Sequence, residues 1–350
     1  MPKITVDKLN LMEPKQVTGL VGMSIQQMYS VLENTPYKEI ISQVKGNEFN
    51  FLSLEKALTM NFLSTYEQIR KLSPKDVSLL LSALVMKFEA NCVKALLRAK
   101  EAELSVKEAM KYIIPLENFS EAKCRNILES SENISDVIDS LSDTEYGEIL
   151  EKIFPVYMKE KVFYLLEVAI DRHVYQNIWK ATGKFRGLDK KIARTIIGLE
   201  IDSINVKTIL RCKAIGIKPN QIERYLIFVS DVLNKKELRD ALRCSDIRST
   251  IDSLVKTAKY ARARDHYYVF KDLQDLQLTS LTTVETVLDR GLVETNLRIL
   301  KRYTPFFNIG LLLAFLNLKW FEIKNLRAIF RGAEAGIAPD RVKKLLVIQR

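Results

Sequence analysis

The chain has 350 residues, more than a single hydrophobic core usually supports, so we expect two or three structural units. Its composition, 47% hydrophobic and 28% charged, is that of a folded protein and excludes a wholly disordered chain. The formal net charge of +11 is compatible with an acidic protein partner, nucleic acid or an anionic membrane surface, and does not distinguish among them.

Long helices are the expected elements. With only 12 glycines and 9 prolines, the chain has few of the residues that sheets joined by tight turns require. The longest apolar run, Ile309–Leu316, is far shorter than the roughly 20 residues that cross a bilayer. The N-terminal segment MPKITVDKLN has no apolar core of a secretion signal.

The residue types that usually hold metals are sparse. The four cysteines, Cys92, Cys124, Cys212 and Cys244, form no CxxC pair, so we expect reduced thiols rather than a zinc site. The two histidines are too few for most metal or proton-relay chemistry, and His173 is expected to be packed or half-exposed. No catalytic set and no cofactor site is predicted.

Two motifs recur in the first part of three successive segments. The segment NTPYKEII resembles DTEYGEIL, and IDSLSDT resembles IDSLVKT, which places Thr35, Thr144 and Thr257 at corresponding points, 109 and 113 residues apart. The second motif follows each of these and carries the glutamates Glu55, Glu167 and Glu285.

The third motif is the strongest, and it aligns without gaps over Met86–Ile114, Leu199–Ile227 and Lys319–Val347. An acid recurs at Glu89, Asp202 and Glu322, a base at Lys94, Lys207 and Arg327, and an arginine at Arg98, Arg211 and Arg331. The apolar positions between them are spaced by three and four residues, which predicts one stripe of an α-helix. The two cations of each copy then lie one turn apart on a common face.

The ends of these three helices are also predicted. Gly216 and Gly336 stand where a helix is typically closed by a left-handed residue, and Pro219 and Pro339 follow at the expected start of the next helix. The first copy has Glu103 at the glycine position and Ser105 as the expected N-cap.

Three motifs repeated in the same order predict three similar units, with boundaries at 1–120, 121–232 and 233–350. We refer to these ranges as copies 1, 2 and 3. A period near 113 residues is too long for a solenoid built of single helical hairpins. Each copy is therefore expected to be a small helical bundle, and the three bundles form either a row or a closed pseudo-threefold object.

The triplicated helices with LLRAK, ILRCK and IFRGA, the T-x-Y starts and the closing segment IKNLRAIFRGAEAGIAPDRV resemble the C subunit of archaeal and bacterial A/V-type ATP synthases. The eukaryotic relative is the d subunit of the vacuolar ATPase. The resemblance implies an all-α fold of three pseudo-threefold related helical bundles closed into a funnel.

The resemblance also implies a non-catalytic function. Members of that family sit on the cytoplasmic face of the membrane, on the proteolipid (c/K) ring, and receive the D/F-type subunits of the central stalk. Such a protein couples ion translocation to ATP synthesis or hydrolysis as a peripheral membrane protein without a transmembrane helix of its own. In one respect the sequence departs from the family, whose members usually begin with a longer, Arg-rich helix, because Met1–Gly22 contains no arginine and includes Pro2 and Pro14. The first copy is therefore expected to be shortened or to open with a different helix.

The repeated charges allow two interpretations. The arginines Arg98, Arg211 and Arg331 either face a funnel lumen and bind an acidic stalk tip, or pair with the glutamate of their own copy. We favour the second, with pairs Glu55–Arg98, Glu167–Arg211 and Glu285–Arg331, because a residue kept in every copy is more naturally required by the shared bundle. Lys94, Lys207 and Arg327 are candidate partner contacts.

A further candidate contact is the basic segment Lys256–Tyr268, in which Lys256, Lys259, Arg262 and Arg264 alternate with tyrosines. Nucleic-acid-binding proteins combine cations and stacking aromatics in this way. A solvated helix face with its tyrosines in the core is the simpler interpretation. The alternative to a rotary ATPase subunit is therefore a basic all-α scaffold that binds nucleic acid or another acidic partner. For the rotary ATPase subunit itself, no nucleic-acid partner is expected.

Overall fold

A computed structural model describes residues 11–44, 50–261, 264–275, 281–303 and 308–348. Within these ranges every regular element is a helix and no strand occurs, which confirms the all-α prediction. None of the helices in the described ranges is both long and apolar enough to cross a membrane.

Within the described residues, six α-helices fall in each copy, and the fourth and fifth are the longest. In copy 1 they are α1 (Pro14–Gly19), α2 (Ile25–Leu32), α3 (Lys38–Val44), α4 (Phe51–Leu72), α5 (Lys75–Glu101) and α6 (Val106–Tyr112). In copy 2 they are α7 (Glu121–Ser130), α8 (Ile134–Asp139), α9 (Glu145–Glu160), α10 (Tyr164–Thr182), α11 (Gly187–Ala214) and α12 (Pro219–Glu223). In copy 3 they are α13 (Lys235–Arg243), α14 (Ile247–Tyr260), α15 (Arg264–Lys271), α16 (Leu281–Tyr303), α17 (Ile309–Glu334) and α18 (Pro339–Leu345).

The apolar stripe read from the third motif is the buried face of α5, α11 and α17. Three positions of the stripe are at most 2% exposed in all three helices: Val93, Leu96 and Leu97; Val206, Ile209 and Leu210; and Leu326, Ile329 and Phe330. Burial of a large aliphatic or aromatic side chain contributes roughly 1.5–3 kcal/mol. The stripe is therefore the main reason that these segments fold as helices.

The chain forms two compact units, which do not follow the order of the copies. The smaller unit comprises Pro74–Lys184 and Arg224–Val229. In it α10 packs on α5 and α9. Arg172 of α10 donates hydrogen bonds of 2.7 Å to the main-chain carbonyls of Arg224 and Leu226, which holds the short second segment in this unit.

The larger unit comprises the described residues of Met1–Ser73, Phe185–Glu223 and Ser230–Arg350. Helix α17 packs along α16 and also against α4 and α11. Its N-terminus is capped by the Asn308 side chain, which accepts from the amides of Gly310 and Leu311. In place of a long opening helix, the described N-terminal residues form the short helices α1 and α2.

The three long fifth helices end in the same Schellman motif. Gly216 and Gly336 have φ of 75° and 63°, and the amides of the next residues bond back to the carbonyls of Cys212 and Gly332 at 2.9 and 2.8 Å. Both predicted helix ends are confirmed. In the first copy Glu103 adopts the same left-handed conformation, with φ of 50°.

Because a residue with a Cβ is strained at positive φ, Glu103→Gly should raise the free energy of unfolding by about 1 kcal/mol in a urea titration. The matched control is Gly216→Ala, whose added Cβ would meet no atom within 4 Å, so that only backbone strain changes. It should lower the free energy of unfolding by about 1 kcal/mol. A destabilised Glu103→Gly variant would contradict this account of the helix end.

Candidate functional site

The candidate site is the set of repeated charges on the long helices. We call α5, α11 and α17 the cation helices, because each carries two repeated cations four residues apart. We call α4, α10 and α16 the acid helices, because each carries one of the repeated glutamates. Residues four apart lie on one helix face, so each cation helix presents its two charges together.

In the smaller unit, the cation helix α5 meets the acid helix α10 through two ion pairs. Lys94 Nζ lies 2.7 Å from Asp171 Oδ1, and Arg98 Nε lies 2.5 Å from Glu167 Oε1. Both the cations and the acids are four residues apart, and the earlier cation meets the later acid. The two helices are therefore antiparallel where the charges match.

In the larger unit, the cation helix α11 meets the acid helix α16 in the same way. Lys207 Nζ lies 2.5 Å from Asp289 Oδ1, and Arg211 donates from Nε and Nη2 to Glu285 Oε1 at 2.8 and 2.5 Å. Asp289 receives a second lysine, since Lys324 of α17 donates to its Oδ2 at 2.8 Å.

The third contact, between α17 and α4 in the larger unit, departs from this pattern. Thr59 stands four residues after Glu55, where the other acid helices have an aspartate. Arg327 donates through Nη2 to the Thr59 hydroxyl, and its Nε lies 3.4 Å from Glu55 Oε1. Arg331 lies over the ring of Phe51, 5.0 Å from its centroid. The first copy therefore replaces one ion pair by a hydroxyl contact and a cation–π contact.

The partners of these charges differ from the prediction that each pair forms within one copy. The cations of copy 1 pair with the acids of copy 2, and the cations of copy 2 pair with the acids of copy 3. Arg327 of copy 3 pairs with the glutamate of copy 1. The predicted pairs Glu55–Arg98, Glu167–Arg211 and Glu285–Arg331 are therefore replaced by Arg98–Glu167, Arg211–Glu285 and Arg327–Glu55. The order of pairing is cyclic.

Sequence reasoning missed the second acid of the pattern. Asp171 and Asp289 follow the repeated glutamates by four residues, the same spacing that separates the two cations. This match of spacings was the available signal for a double, antiparallel contact. It contains no information on which copy supplies the partner, because the copies carry the same charges.

The lysines of these pairs are more enclosed than the arginines. The side chains of Lys94 and Lys207 are 12% and 19% exposed, whereas those of Arg98 and Arg211 are 60% and 55% exposed. Arg327 is enclosed like the lysines, at 18%. Each predicted partner contact among these three is therefore engaged by an acid within the fold.

The two buried aspartates differ in electrostatics. Burial raises the pKa of Asp171 above its ordinary value, because a single lysine does not compensate the loss of water. Burial acts in the same direction on Asp289, but Lys207 and Lys324 outweigh it and lower the pKa of Asp289. Burial also lowers the pKa of Arg327, despite the opposing charge of Glu55.

The repeated acids at the start of the third motif make a second set of contacts in the same cyclic order. The Tyr146 hydroxyl lies 3.2 Å from Glu89, and the Tyr37 hydroxyl donates to Glu322 at 2.6 Å. Burial and the neighbouring carboxylates raise the pKa of both tyrosines. At Asp202 the corresponding position is taken by His266, whose Nε2 lies 3.0 Å from the carboxylate.

The basic segment is largely a solvated face. Lys256, Lys259 and Arg264 are exposed, while Arg262 lies outside the described residues. Tyr260 was expected in the core but is 75% exposed, because His266 occupies the place beside Asp202 that the motif tyrosine has in the other copies. Lys256 lies 5.8 Å from the ring centroid of Tyr260.

Other chemistry is limited in the part of the chain that the structure describes. No group of three or more His, Cys, Asp or Glu residues there is arranged to hold a metal ion. His173 is half-buried and contacts Glu145 and Asn177.

The family described as ATP synthase (C/AC39) subunit matches residues 2–345. The chain belongs to this family. The C subunit of the A-type ATP synthase of Methanocaldococcus jannaschii is 27% identical over 327 residues, which cover 93% of this chain and 79% of the relative. The C subunit of Methanosphaera stadtmanae is 24% identical, covering 92% and 83%, and that of Methanobrevibacter smithii is 25% identical, covering 97% and 85%.

Family membership confirms the resemblance predicted from the triplicated motifs. It makes the chain a member of the ATP synthase (C/AC39) subunit family, a peripheral and non-catalytic component of an ATP synthase complex. The repeated charges are therefore to be understood as part of a protein that works within a larger assembly, rather than as an active site.

The cyclic pairing is testable by double-mutant cycles on the free energy of unfolding. The cycle Lys207→Met with Asp289→Asn should give a coupling energy of about 1–3 kcal/mol, since both groups are largely buried. The matched cycle is Glu285→Gln with Arg331→Met, which tests a pairing within one copy and should give a coupling below about 0.5 kcal/mol. The reverse order of these two coupling energies would contradict the observed pairing.

The two aspartates should also affect stability at acid pH in opposite ways. A lowered pKa in the folded state means that the contribution of Asp289 is present above the ordinary value of about 3.9 and is lost as the pH falls through the folded pKa. In urea titrations from pH 3 to 6, the free energy of unfolding of wild type should therefore exceed that of Asp289→Asn by less at the acid end. For Asp171, whose folded pKa is raised, the difference between wild type and Asp171→Asn should shift in favour of wild type as the pH falls towards 4. Slopes of the same sign for both variants would contradict these pKa directions.

Proposed function

We propose that this protein is the socket of the central stalk. It sits on the cytoplasmic face of the membrane-embedded proteolipid (c/K) ring and receives the D/F-type stalk subunits. Torque then passes through it between ion translocation and ATP synthesis or hydrolysis. It contributes no catalytic residue and no cofactor to this process.

The cyclic order of pairing is the observation that supports this proposal best. A simple row of three similar bundles would leave the cations of the last copy without the acids of the first. Here Arg327 of copy 3 meets Glu55 of copy 1. We propose that the copies 1–120, 121–232 and 233–350 are related by a pseudo-threefold axis and closed into a funnel. In such a socket, the off-centre stalk and the symmetric ring would meet opposite faces of one body.

The mechanism that we propose is rigid transmission. A protein that carries torque must not deform under load, and close-packed helices resist deformation. Three further contacts join copies through buried groups: Lys207 to Asp289, Tyr37 to Glu322 and Tyr146 to Glu89. Breaking any one of them strands a buried polar group, which makes sliding of one copy past the next costly.

The more exposed cations are the candidates for stalk contacts. Arg98 and Arg211 each pair with a glutamate and keep more than half of the side chain exposed. An acidic tip of the stalk can therefore approach these guanidinium groups without breaking the internal pairs. Lys256, Lys259 and Arg264 offer a second exposed set.

The proposal is tested by purification of the affinity-tagged protein from solubilised membranes of its own cells. Wild type should bring down both the proteolipid and the stalk subunits, identified by mass spectrometry. Arg327→Glu, which places two acids together, should reduce this recovery, and the charge exchange Arg327→Glu with Glu55→Arg should restore it.

Recovery of neither the proteolipid nor the stalk subunits with the wild-type protein would refute the proposed function. Recovery that is unaffected by Arg327→Glu would instead show that the pairing between copies 3 and 1 does not matter for assembly.

A further inference from the structure

Two of the four cysteines lie in direct contact. Cys92 of α5 and Cys124 of α7 belong to the smaller unit, and their sulfur atoms are 3.5 Å apart. Both side chains are buried, at 3% and 0% exposed. The two residues are 32 positions apart in sequence, so the sequence did not indicate the contact.

The separation corresponds to van der Waals contact between two thiols. A disulfide requires the sulfur atoms to approach to about 2.05 Å, so the gap to be closed is about 1.5 Å. Rotation of a cysteine side chain about its χ1 bond moves the sulfur atom by a distance of this order. By contrast, Cys244 is half-buried and contacts the main-chain carbonyl of Asp240.

The repeat shows that the bundle does not require a thiol here. In the gapless alignment of the third motif, Cys92 corresponds to Asn205 and Asn325. Both asparagines are buried, and Asn325 exchanges two hydrogen bonds with the main chain of Val347, at 2.8 and 2.9 Å. The other two copies thus fill this position with a buried amide. The thiol, and the second thiol opposite it, are specific to the contact between α5 and α7.

We propose that Cys92 and Cys124 are a redox-sensitive pair that hydrogen peroxide converts into a disulfide, tying α5 to α7. Peroxide is the appropriate oxidant class because it is close to water in size, whereas a bulky disulfide reagent does not reach a buried sulfur.

The reaction is balanced by the two thiols and one peroxide. One thiolate attacks a peroxide oxygen, so that an S–O bond forms, the O–O bond breaks, and hydroxide leaves and takes up a proton as water. The second thiol then attacks the sulfenic sulfur. An S–S bond forms, the S–O bond breaks, and hydroxide leaves with the proton of the second thiol as another water. The thiols lose two electrons and the peroxide gains them.

The surroundings of the pair make this reaction slow. The contact with Cys124 and burial raise the pKa of the Cys92 thiol, so little thiolate is present at neutral pH. The rate should therefore rise with pH, by about tenfold per unit while the thiolate remains a minor species. The disulfide closes a loop that spans the 32 positions between the two residues, which restricts the unfolded chain and stabilises the oxidised protein.

The experiment uses the full-length double variant Cys212→Ser with Cys244→Ser, which keeps only the pair. After incubation with hydrogen peroxide under native conditions and quenching, we expect loss of both titratable thiols and a peptide that links Cys92 to Cys124. The midpoint of thermal unfolding should rise by about 5 °C or more. A phosphine reductant should reverse both changes.

The control is the same double variant carrying Cys124→Ser, in which neither the linked peptide nor the rise in midpoint should appear. If that control does not fold, reversal by the reductant decides the question. Oxidation of Cys92 to a sulfinic or sulfonic acid without a linked peptide would overturn the proposal, as would a link that forms only in denaturant. These outcomes are independent of the recovery of ring and stalk subunits, so failure here leaves the proposed function unaffected.

Discussion

The structure depends on a match of spacing between two charged helices. Lys207 and Arg211 are one turn apart, and so are Asp289 and Glu285, so the antiparallel pair of helices forms two ion pairs at once. The lysine and its aspartate are largely buried, which means that Lys207 cannot lose its carboxylate partner without a cost of several kcal/mol. Because each copy supplies its cations to the acids of the next, stability is shared among copies rather than held within them.

This sharing explains why the compact units do not coincide with the repeats. A copy contributes its acid helix to one neighbour and its cation helix to another, so cutting the chain between copies would separate pairs such as Arg211 and Glu285. It also leaves each contact open to local change. Thr59 replaces an aspartate and His266 replaces a tyrosine, yet both still contact a residue of the neighbouring copy. Cys92 replaces an asparagine, and its side chain stays buried.

The helical content, the buried stripe and the left-handed helix ends followed from the sequence, since each depends on residues within one helix. The partner of Arg98 did not, because Glu55 and Glu167 occupy equivalent positions and carry the same charge. The exposure of Tyr260 was missed because the burial of this tyrosine depends on contact with an acid of the preceding copy. That acid, Asp202, is instead contacted by His266, six residues after Tyr260. Local sequence patterns therefore predicted the position and the buried face of each helix. They did not predict which helix it packs against, because the copies are chemically equivalent.

Zero-length carbodiimide cross-linking of the native full-length protein tests the cyclic pairing most directly, because it joins only amines and carboxylates that are already in contact. Peptide mapping should find Lys94 linked to Asp171 and Lys207 linked to Asp289, each bond joining two successive copies. Lys324 linked to Asp289 serves as an internal control within copy 3. A map in which Lys207 is joined instead to Glu167 or Asp171 of its own copy would contradict the account.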